Sequence, residues 1–190
     1  MSQLIIGLVL FLGIHSLSIV SPAGRDRLAA RLGEWPFKAV YSVVALVGFV
    51  LIVRGYAAAR MDPTMLWVPP SWTTHVSMLL MLPVFPALLA AYLPGRISAT
   101  LKHPMLVAVK AWAVAHLIAN GTLADVLLFG TFLAWAVVDR ISLKHRTEGP
   151  KPRAPATPFN DAIALVGGLG VYLAFVFWLH ASLIGVSLTS

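Results

Sequence analysis

Histidines are the residues of this sequence with the most capacity for chemistry. The chain has six of them and no cysteine, so imidazole is the only strong transition-metal ligand that it offers in number. His15, His103, His116 and His180 lie in or beside apolar stretches, where an ionisable group is costly and is a candidate for function. Two neutral imidazoles suit the axial positions of a haem iron. Zinc requires three or four ligands, and no His-Glu-x-x-His motif occurs.

The surroundings of His116 are compatible with more than one role. Trp112 and His116 are four residues apart and therefore share one face of a helix. Small neighbours such as Ala115 leave space for a flat ligand, but they also permit ordinary close packing of helices. Paired histidines could relay protons, and any one of them could simply hydrogen-bond a backbone carbonyl. Lys110 and Asp125 are also ionisable within apolar stretches, and the sequence assigns them no role.

The composition indicates which kind of structure must hold these side chains. Of 190 residues, 59% are hydrophobic and 11% are charged, with a mean hydropathy of +0.86. A soluble domain carries about 25% charged residues. A soluble enzyme, a disordered regulator and a fibrous rod are therefore excluded, and we expect an integral membrane protein. The net charge of +7 is more typical of membrane orientation than of nucleic-acid binding, so no nucleic-acid partner is expected.

The hydropathy pattern predicts an all-α polytopic bundle with about six transmembrane helices. A helix that crosses about 30 Å of hydrocarbon needs roughly 20 apolar residues. The predicted spans are residues 4–20, 37–59, 74–93, 105–119, 122–138 and 162–188. Asn120 and Gly121 form a helix-end and turn signal, which predicts that the fourth and fifth spans form a hairpin. Pro83 and Pro86 should kink the third span.

Two of the segments that connect the predicted spans contain local sequence signals of their own. Ser21 and Pro22 form a helix-start signal, which predicts a short basic helix over residues 23–32 at the membrane interface. Its arginines could be solvated or could contact lipid or protein. Residues 147–160 form a proline-rich loop, and Asn160 and Asp161 are expected to cap the last span.

The charges of the loops predict the orientation. The loops before spans two, four and six contain most of the cations: Arg25, Arg27, Arg31, Lys38, Arg96, Lys102, Arg140, Lys144, Arg146, Lys151 and Arg153. Only Arg54 and Arg60 fall on the other side. Because Lys and Arg collect on the cytoplasmic side, both termini are predicted on the periplasmic side of the inner membrane.

Several short motifs resemble those of the NnrU family. They are Gly13-Ile14-His15-Ser16-Leu17, Arg27, Gly33-Glu34, Tyr41-Ser42, Lys102-His103-Pro104, Trp112, Ala115-His116-Leu117, Ala119-Asn120-Gly121 and Leu128-Phe129-Gly130. The resemblance covers about residues 1–146. It implies a single domain over residues 1–190, with a family-like core followed by the loop and a last transmembrane helix at 161–188.

The resemblance also implies a function and a set of site residues. NnrU proteins are associated with bacterial denitrification, near genes for nitrite and nitric oxide reduction. The family is similar to membrane zeta-carotene isomerases, which bind haem b and isomerise a cis double bond by a redox-dependent mechanism. By motif, the resemblance implies that His15 and His116 correspond to the axial haem ligands and that His103 corresponds to the histidine of a His-Pro motif, with Trp112 nearby. The isomerases carry another histidine where this chain has Arg54-Gly55-Tyr56.

The predicted depth of each histidine in the membrane leaves the second axial ligand of the haem open. Measured from the predicted ends of the spans, His75, His116 and His180 fall in the outer half of the membrane, and His15 and His103 fall in the inner half. The motifs therefore favour His15 with His116, whereas the depth count makes His180 the alternative partner of His116.

Three functions are compatible with the sequence. The first is a membrane protein that binds haem b and acts as a redox or isomerase-like enzyme, for which a small apolar substrate would be suitable. The second is a non-catalytic partner that supports assembly or expression of the nitric oxide reductase system. The third is a small transporter or pore, which is the least favoured because the sequence shows no duplicated halves with paired broken helices.

Overall fold

The computed structural model describes residues 1–146 and 154–188, and this part of the chain is helical, with 77% helix and no strand. The helices are α1 (Ser2–His15), α2 (Leu17–Val20), α3 (Pro22–Leu32), α4 (Glu34–Met61), α5 (Thr73–Met81), α6 (Val84–Ala90), α7 (Arg96–Leu101), α8 (Pro104–Ala119), α9 (Leu123–Ser142), α10 (Asn160–Ala174) and α11 (His180–Ile184). A π-helical turn, Phe175–Leu179, joins α10 to α11. The predicted all-α class is confirmed.

Three helical stretches within the described residues are long and apolar enough to cross a membrane: Glu34–Met61, Thr73–Ala90 and Asn160–Ile184. The other three predicted spans are helical but fall short for identifiable reasons. The first breaks after α1, where the Ser16 hydroxyl donates to the carbonyl of Leu12, and α8 has only 16 residues. Helix α9 has 20 residues but carries Asp125, Asp139 and Arg140.

The predicted start of the short basic helix and the predicted interruption of the third span are confirmed. Helix α3 begins at Pro22, and the backbone N–H of Gly24 donates to the Ser21 hydroxyl at 3.1 Å, as a side-chain cap should. The third predicted span is interrupted between Met81 and Val84, because Pro83 has no N–H to continue the hydrogen-bond ladder of the helix.

The prediction for the start of the last span was wrong in its detail. Helix α10 begins at Asn160, and its N-cap, Phe159, makes no side-chain capping bond. The Asp161 carboxylate instead accepts the backbone N–H groups of Arg96 at 2.8 Å and Ile97 at 3.0 Å, so it caps α7. A carboxylate in the first turn of a helix points outward, and a neighbouring helix start offers it unpaired donors.

The described residues form two compact units. Helical unit 1 comprises residues 1–69 and 120–146, and helical unit 2 comprises residues 70–119 and 154–188. The single domain over residues 1–190 stays a prediction.

In helical unit 1, α1 packs against α4 at glycines. A Cβ atom at Gly55 would meet the backbone of Leu4, and one at Gly7 would meet the carbonyl oxygen of Gly48 at 2.8 Å. The paired positions show that the two helices run antiparallel. Helix α9 completes this unit, with the ring of Phe132 at 5.7 Å from that of Phe11. Glycine is required here because the two backbones approach too closely for a side chain.

In helical unit 2, the α5–α6 stretch packs against both α8 and α10. The Ser77 hydroxyl donates to the Ala115 carbonyl of α8 at 2.6 Å. The Tyr172 hydroxyl of α10 donates to the Met78 carbonyl at 3.1 Å, and a Cβ atom at Gly168 would meet the backbone of Pro86. The proline-broken stretch is therefore the central element of this unit.

The predicted turn at Asn120 and Gly121 is where α8 ends, and it has a partner that the sequence does not reveal. The Gly121 carbonyl accepts the backbone N–H of Leu66 at 2.8 Å, and the N–H of Leu123 donates to the Thr64 carbonyl at 2.9 Å. A Cβ atom at Gly121 would meet the carbonyl oxygen of Trp67. The segment after α4 is thus held against the start of α9 within helical unit 1.

Candidate functional site

His15 is the last residue of α1, and its ring is oriented by its own helix. The Nδ1 atom donates to the carbonyl oxygen of Phe11 at 2.6 Å. Because a carbonyl can only accept, Nδ1 carries the proton, and in the neutral ring Nε2 holds the lone pair. A metal-binding histidine commonly uses this arrangement, with one nitrogen fixed by a backbone carbonyl and the other facing the metal.

Aromatic rings from three helices surround His15, which is half-buried. Its ring centroid lies 4.3 Å from that of Phe11, 5.3 Å from that of Tyr41 in α4 and 6.2 Å from that of Trp135 in α9. The ring of Trp135 is perpendicular to that of His15. We call His15, Phe11, Tyr41 and Trp135 the His15 cluster. Such a setting is apolar and presents flat surfaces, as a porphyrin or another conjugated ligand would need.

One donor in the His15 cluster has no acceptor. The indole Nε1 of Trp135 is buried and makes no hydrogen bond within the structure described. Most buried polar groups are hydrogen-bonded, so an orphaned donor calls for an explanation such as an absent ligand or a contact with a ring face. The residues present therefore fit a flat ligand that brings a hydrogen-bond acceptor.

His116 lies near the end of α8 in helical unit 2 and repeats the arrangement of His15. Its Nδ1 donates to the carbonyl of Trp112 at 2.8 Å, and its ring centroid lies 5.4 Å from the Trp112 ring. The neighbouring Ala113 and Ala115 are fully buried. Each of the two motif histidines therefore rests against the aromatic residue one helical turn earlier and donates to that residue's carbonyl.

The backbone of His103 contacts the first turn of α8. It precedes α8, and its carbonyl accepts the backbone N–H groups of Leu106 and Val107, both at 3.1 Å. It lies thirteen residues before His116, which corresponds to about 20 Å along the helix axis. The structure thus places His103 and His116 at opposite ends of α8.

The remaining histidines lie at different places. His180 follows the π-helical turn, and its Nδ1 donates to the Val186 carbonyl at 2.8 Å. This bond also leaves the lone pair on Nε2 in a neutral ring. His75 and His145 are exposed. In residues 1–146 and 154–188, no group of three or more His, Cys, Asp or Glu side chains could hold a metal ion.

Asp125 is a buried polar centre to which sequence reasoning gave no role. Its side chain accepts the Tyr56 hydroxyl at 2.6 Å, the Thr122 backbone N–H at 2.9 Å and the Thr122 hydroxyl at 2.6 Å. The N–H of Asp125 donates back to the Thr122 hydroxyl at 3.2 Å, which completes a capping box. The Thr-x-x-Asp spacing was the available signal. The bond to Tyr56 fastens α9 to α4.

Comparison with known proteins gave one result. A family model described as NnrU protein matches residues 3–188, which extends past the motifs to the last helix. No curated protein and no solved structure matches the chain.

Proposed function

This chain belongs to the NnrU family, and from that membership we propose that it is an integral membrane protein that binds haem b, with His15 and His116 as the axial ligands. The family's association with denitrification extends the proposal to a role in nitrite or nitric oxide metabolism. When bound, haem b supplies a redox-active iron. The proposal covers both a redox and an isomerase-like activity.

The observation that carries the proposal is the shared arrangement of the two histidines. In both, the Nδ1–H donates to the carbonyl four residues earlier, and an aromatic ring at that same residue supports the imidazole. The hydrogen bond selects the tautomer of the imidazole and fixes the orientation of its ring. A metal-ligating histidine usually has a hydrogen-bond partner that does both. The chain's part is thus to orient Nε2, to exclude water with aromatic side chains and to offer the Trp135 N–H to an acceptor.

Exposed apolar side chains support the membrane part of the proposal. Along α4, the following are between 44% and 61% exposed: Val40, Val43, Leu46, Val47, Phe49, Val50 and Val53. In water, a continuous apolar surface of this kind is unfavourable, whereas lipid tails cover it at no cost. The stretches Thr73–Ala90 and Asn160–Ile184 are apolar in the same way.

Absorption spectroscopy of the purified protein tests the proposal. The chain is expressed with sufficient haem, extracted in a mild detergent and examined for a Soret band and for the haem content per chain. We expect about one non-covalent b-type haem for each chain, because a chain without cysteine cannot form the thioether bonds of c-type haem. A monodisperse, helical and haem-free protein would overturn the proposal.

The alternative function is that the chain is a non-catalytic partner of the nitric oxide reductase system. One observation favours it: the hydrogen bonds of His15 and His116 to their own helices also satisfy one ring nitrogen without any metal. The haem-free outcome above would support this alternative, and co-purification with the reductase subunits would then be the next measurement.

A further inference from the structure

An open cleft of about 390 Å³ lies where α3 meets the start of α4. Two cations, Arg25 and Lys38, line it together with Glu34 and the apolar residues Ala29 and Phe37. The cleft is separate from the His15 cluster and has no part in the proposed haem function.

A single residue creates the cleft by turning the chain sharply. Helix α3 ends at Leu32 and α4 begins at Glu34, so Gly33 alone connects them. Its φ of +87° lies in the region that favours glycine, because a Cβ atom is strained there. Helix α3 consequently folds back onto the first turns of α4, and the Arg25 guanidinium lies over the Phe37 ring at 5.5 Å from its centroid.

The ion-pair partners of the two cleft cations are exposed. Arg25 pairs with Asp26 at 2.8 Å, and Lys38 pairs with Glu34 at 2.6 Å. All four side chains are at least 44% exposed. Exposed ion pairs contribute little free energy because water solvates the charges nearly as well. Both cations can therefore exchange their present partners for a stronger anion at small cost.

The same end of helical unit 1 carries an excess of positive charge. Its described cations are Arg25, Arg27, Arg31, Lys38, Arg140, Lys144 and Arg146, against the three carboxylates of Asp26, Glu34 and Asp139. At the opposite end, Arg54 and Arg60 are balanced by Asp62 and Asp125. A negatively charged surface is therefore favoured at one end only.

Exposed apolar side chains flank the cleft at the level where α4 begins. Trp35 is 80% exposed, and Leu28 and Leu32, one helical turn apart, are 43% and 47% exposed. A tryptophan at the end of a membrane span typically lies at the level of the lipid headgroups. A short helix with cations beside exposed leucines is typical of a segment that lies in that interface.

We infer that this cleft binds the headgroup of an anionic phospholipid. Arg25 and Lys38 contact the phosphate oxygens, and Ala29 and Phe37 contact the glycerol and the first carbons of an acyl chain. The cationic and apolar lining matches a ligand that has both a phosphate and a hydrocarbon part, which free phosphate lacks. The inference rests on the proposed membrane location but not on haem binding.

Native mass spectrometry on protein from mixed micelles of phosphatidylglycerol and phosphatidylcholine tests the inference. We expect the wild-type chain to retain phosphatidylglycerol preferentially. The double variant Arg25→Gln/Lys38→Gln should retain about tenfold less, since each cation near a lipid phosphate contributes to binding. Arg54→Gln/Arg60→Gln is the matched control, because it removes the same charge at the opposite end and should leave retention unchanged.

A second variant tests the cleft without changing its charge, and circular dichroism checks that the variant folds. Ala29→Trp fills the cleft with an apolar ring and should also lower retention, while the helical circular dichroism stays the same. Equal retention by the wild type and both cleft variants would overturn the inference, as would displacement of the lipid by 10-fold excess inorganic phosphate. Wild-type protein that stays soluble without detergent would instead contradict the membrane proposal, so the two failures are distinguishable.

Discussion

At the scale of single residues, the proposed haem ligands make a testable set. Removing one of two axial imidazoles leaves an open coordination position on the iron but leaves the helices intact. We expect His15→Ala and His116→Ala each to shift the spectrum toward high spin and to lower haem retention. The measurement is the absorption spectrum and the haem content after identical purification.

The other histidines supply the controls for this prediction. His145→Ala should change nothing, because His145 is exposed, and His103→Ala should have a smaller effect, because it is the backbone of His103 that binds the first turn of α8. An unchanged spectrum in His15→Ala together with haem loss in His180→Ala would contradict the assignment. It would move the second ligand to His180, the alternative that the depth count favours.

The buried carboxylate of Asp125 gives a prediction about stability. Asp125→Asn removes one of the two acceptor oxygens that bind Tyr56 and Thr122, and it places an amide donor against a donor. We expect a loss of about 1–3 kcal/mol in unfolding free energy. Thermal unfolding in detergent measures it, with Asp62→Asn at an exposed position as the matched control. An equal unfolding temperature for the two variants would contradict the role assigned to Asp125.

Some features could be located from the sequence because their signals are local. His15 and His116 stand in short motifs, and Ser21 with Pro22 marks a helix start by two adjacent residue types. The companions of His15 could not be found this way. Tyr41 and Trp135 come from α4 and α9, and only the packing of three helices brings their rings to His15.

At the scale of elements, two glycines of α10 differ in how closely a neighbouring helix approaches them, so they provide a matched pair of variants. A Cβ atom at Gly168 in α10 would meet the backbone of Pro86, whereas a Cβ atom at Gly170 would meet nothing within 4 Å. We expect Gly168→Ala to destabilise the protein by about 1–3 kcal/mol through overpacking. Gly170→Ala should be neutral or stabilising by up to about 1 kcal/mol, since alanine favours the helix.

Unfolding of the two alanine variants in the same detergent compares them directly. If Gly168→Ala were as stable as Gly170→Ala, the packing of α10 on α6 described above would be contradicted. The comparison is well matched because both glycines lie in one helix and both changes add one methyl group.

Element boundaries set by single residue types were predictable, and those set by distant contacts were not. The break at Pro83 follows from the missing N–H of proline. In contrast, Asp161 was expected to cap its own helix and instead caps α7, which lies far from it in the sequence. The pairing of Gly121 with Leu66 has the same origin.

At the scale of the whole molecule, we propose that both termini lie on the periplasmic side of the inner membrane. The asymmetry of loop charge supports this orientation. Reporter fusions at Ser190 and within residues 148–158 should label opposite sides of the membrane. Labelling of both on the same side would contradict the orientation, and an untagged extract probed by limited proteolysis is the control for effects of the fusion.

The division into two helical units has a consequence for how the protein is made. Helical unit 1 needs α9, but the ribosome delivers α5 through α8 of helical unit 2 before it. Until α9 emerges, Tyr56 has no carboxylate to bind, and the aromatic face of α1 around His15 lacks Trp135. Helices α1 and α4 must therefore remain an incomplete pair, held by their glycine contacts, while the next segments are synthesised. Biogenesis cannot proceed by finishing one unit and then starting the other, so a ribosome stalled after residue 119 would leave neither unit complete.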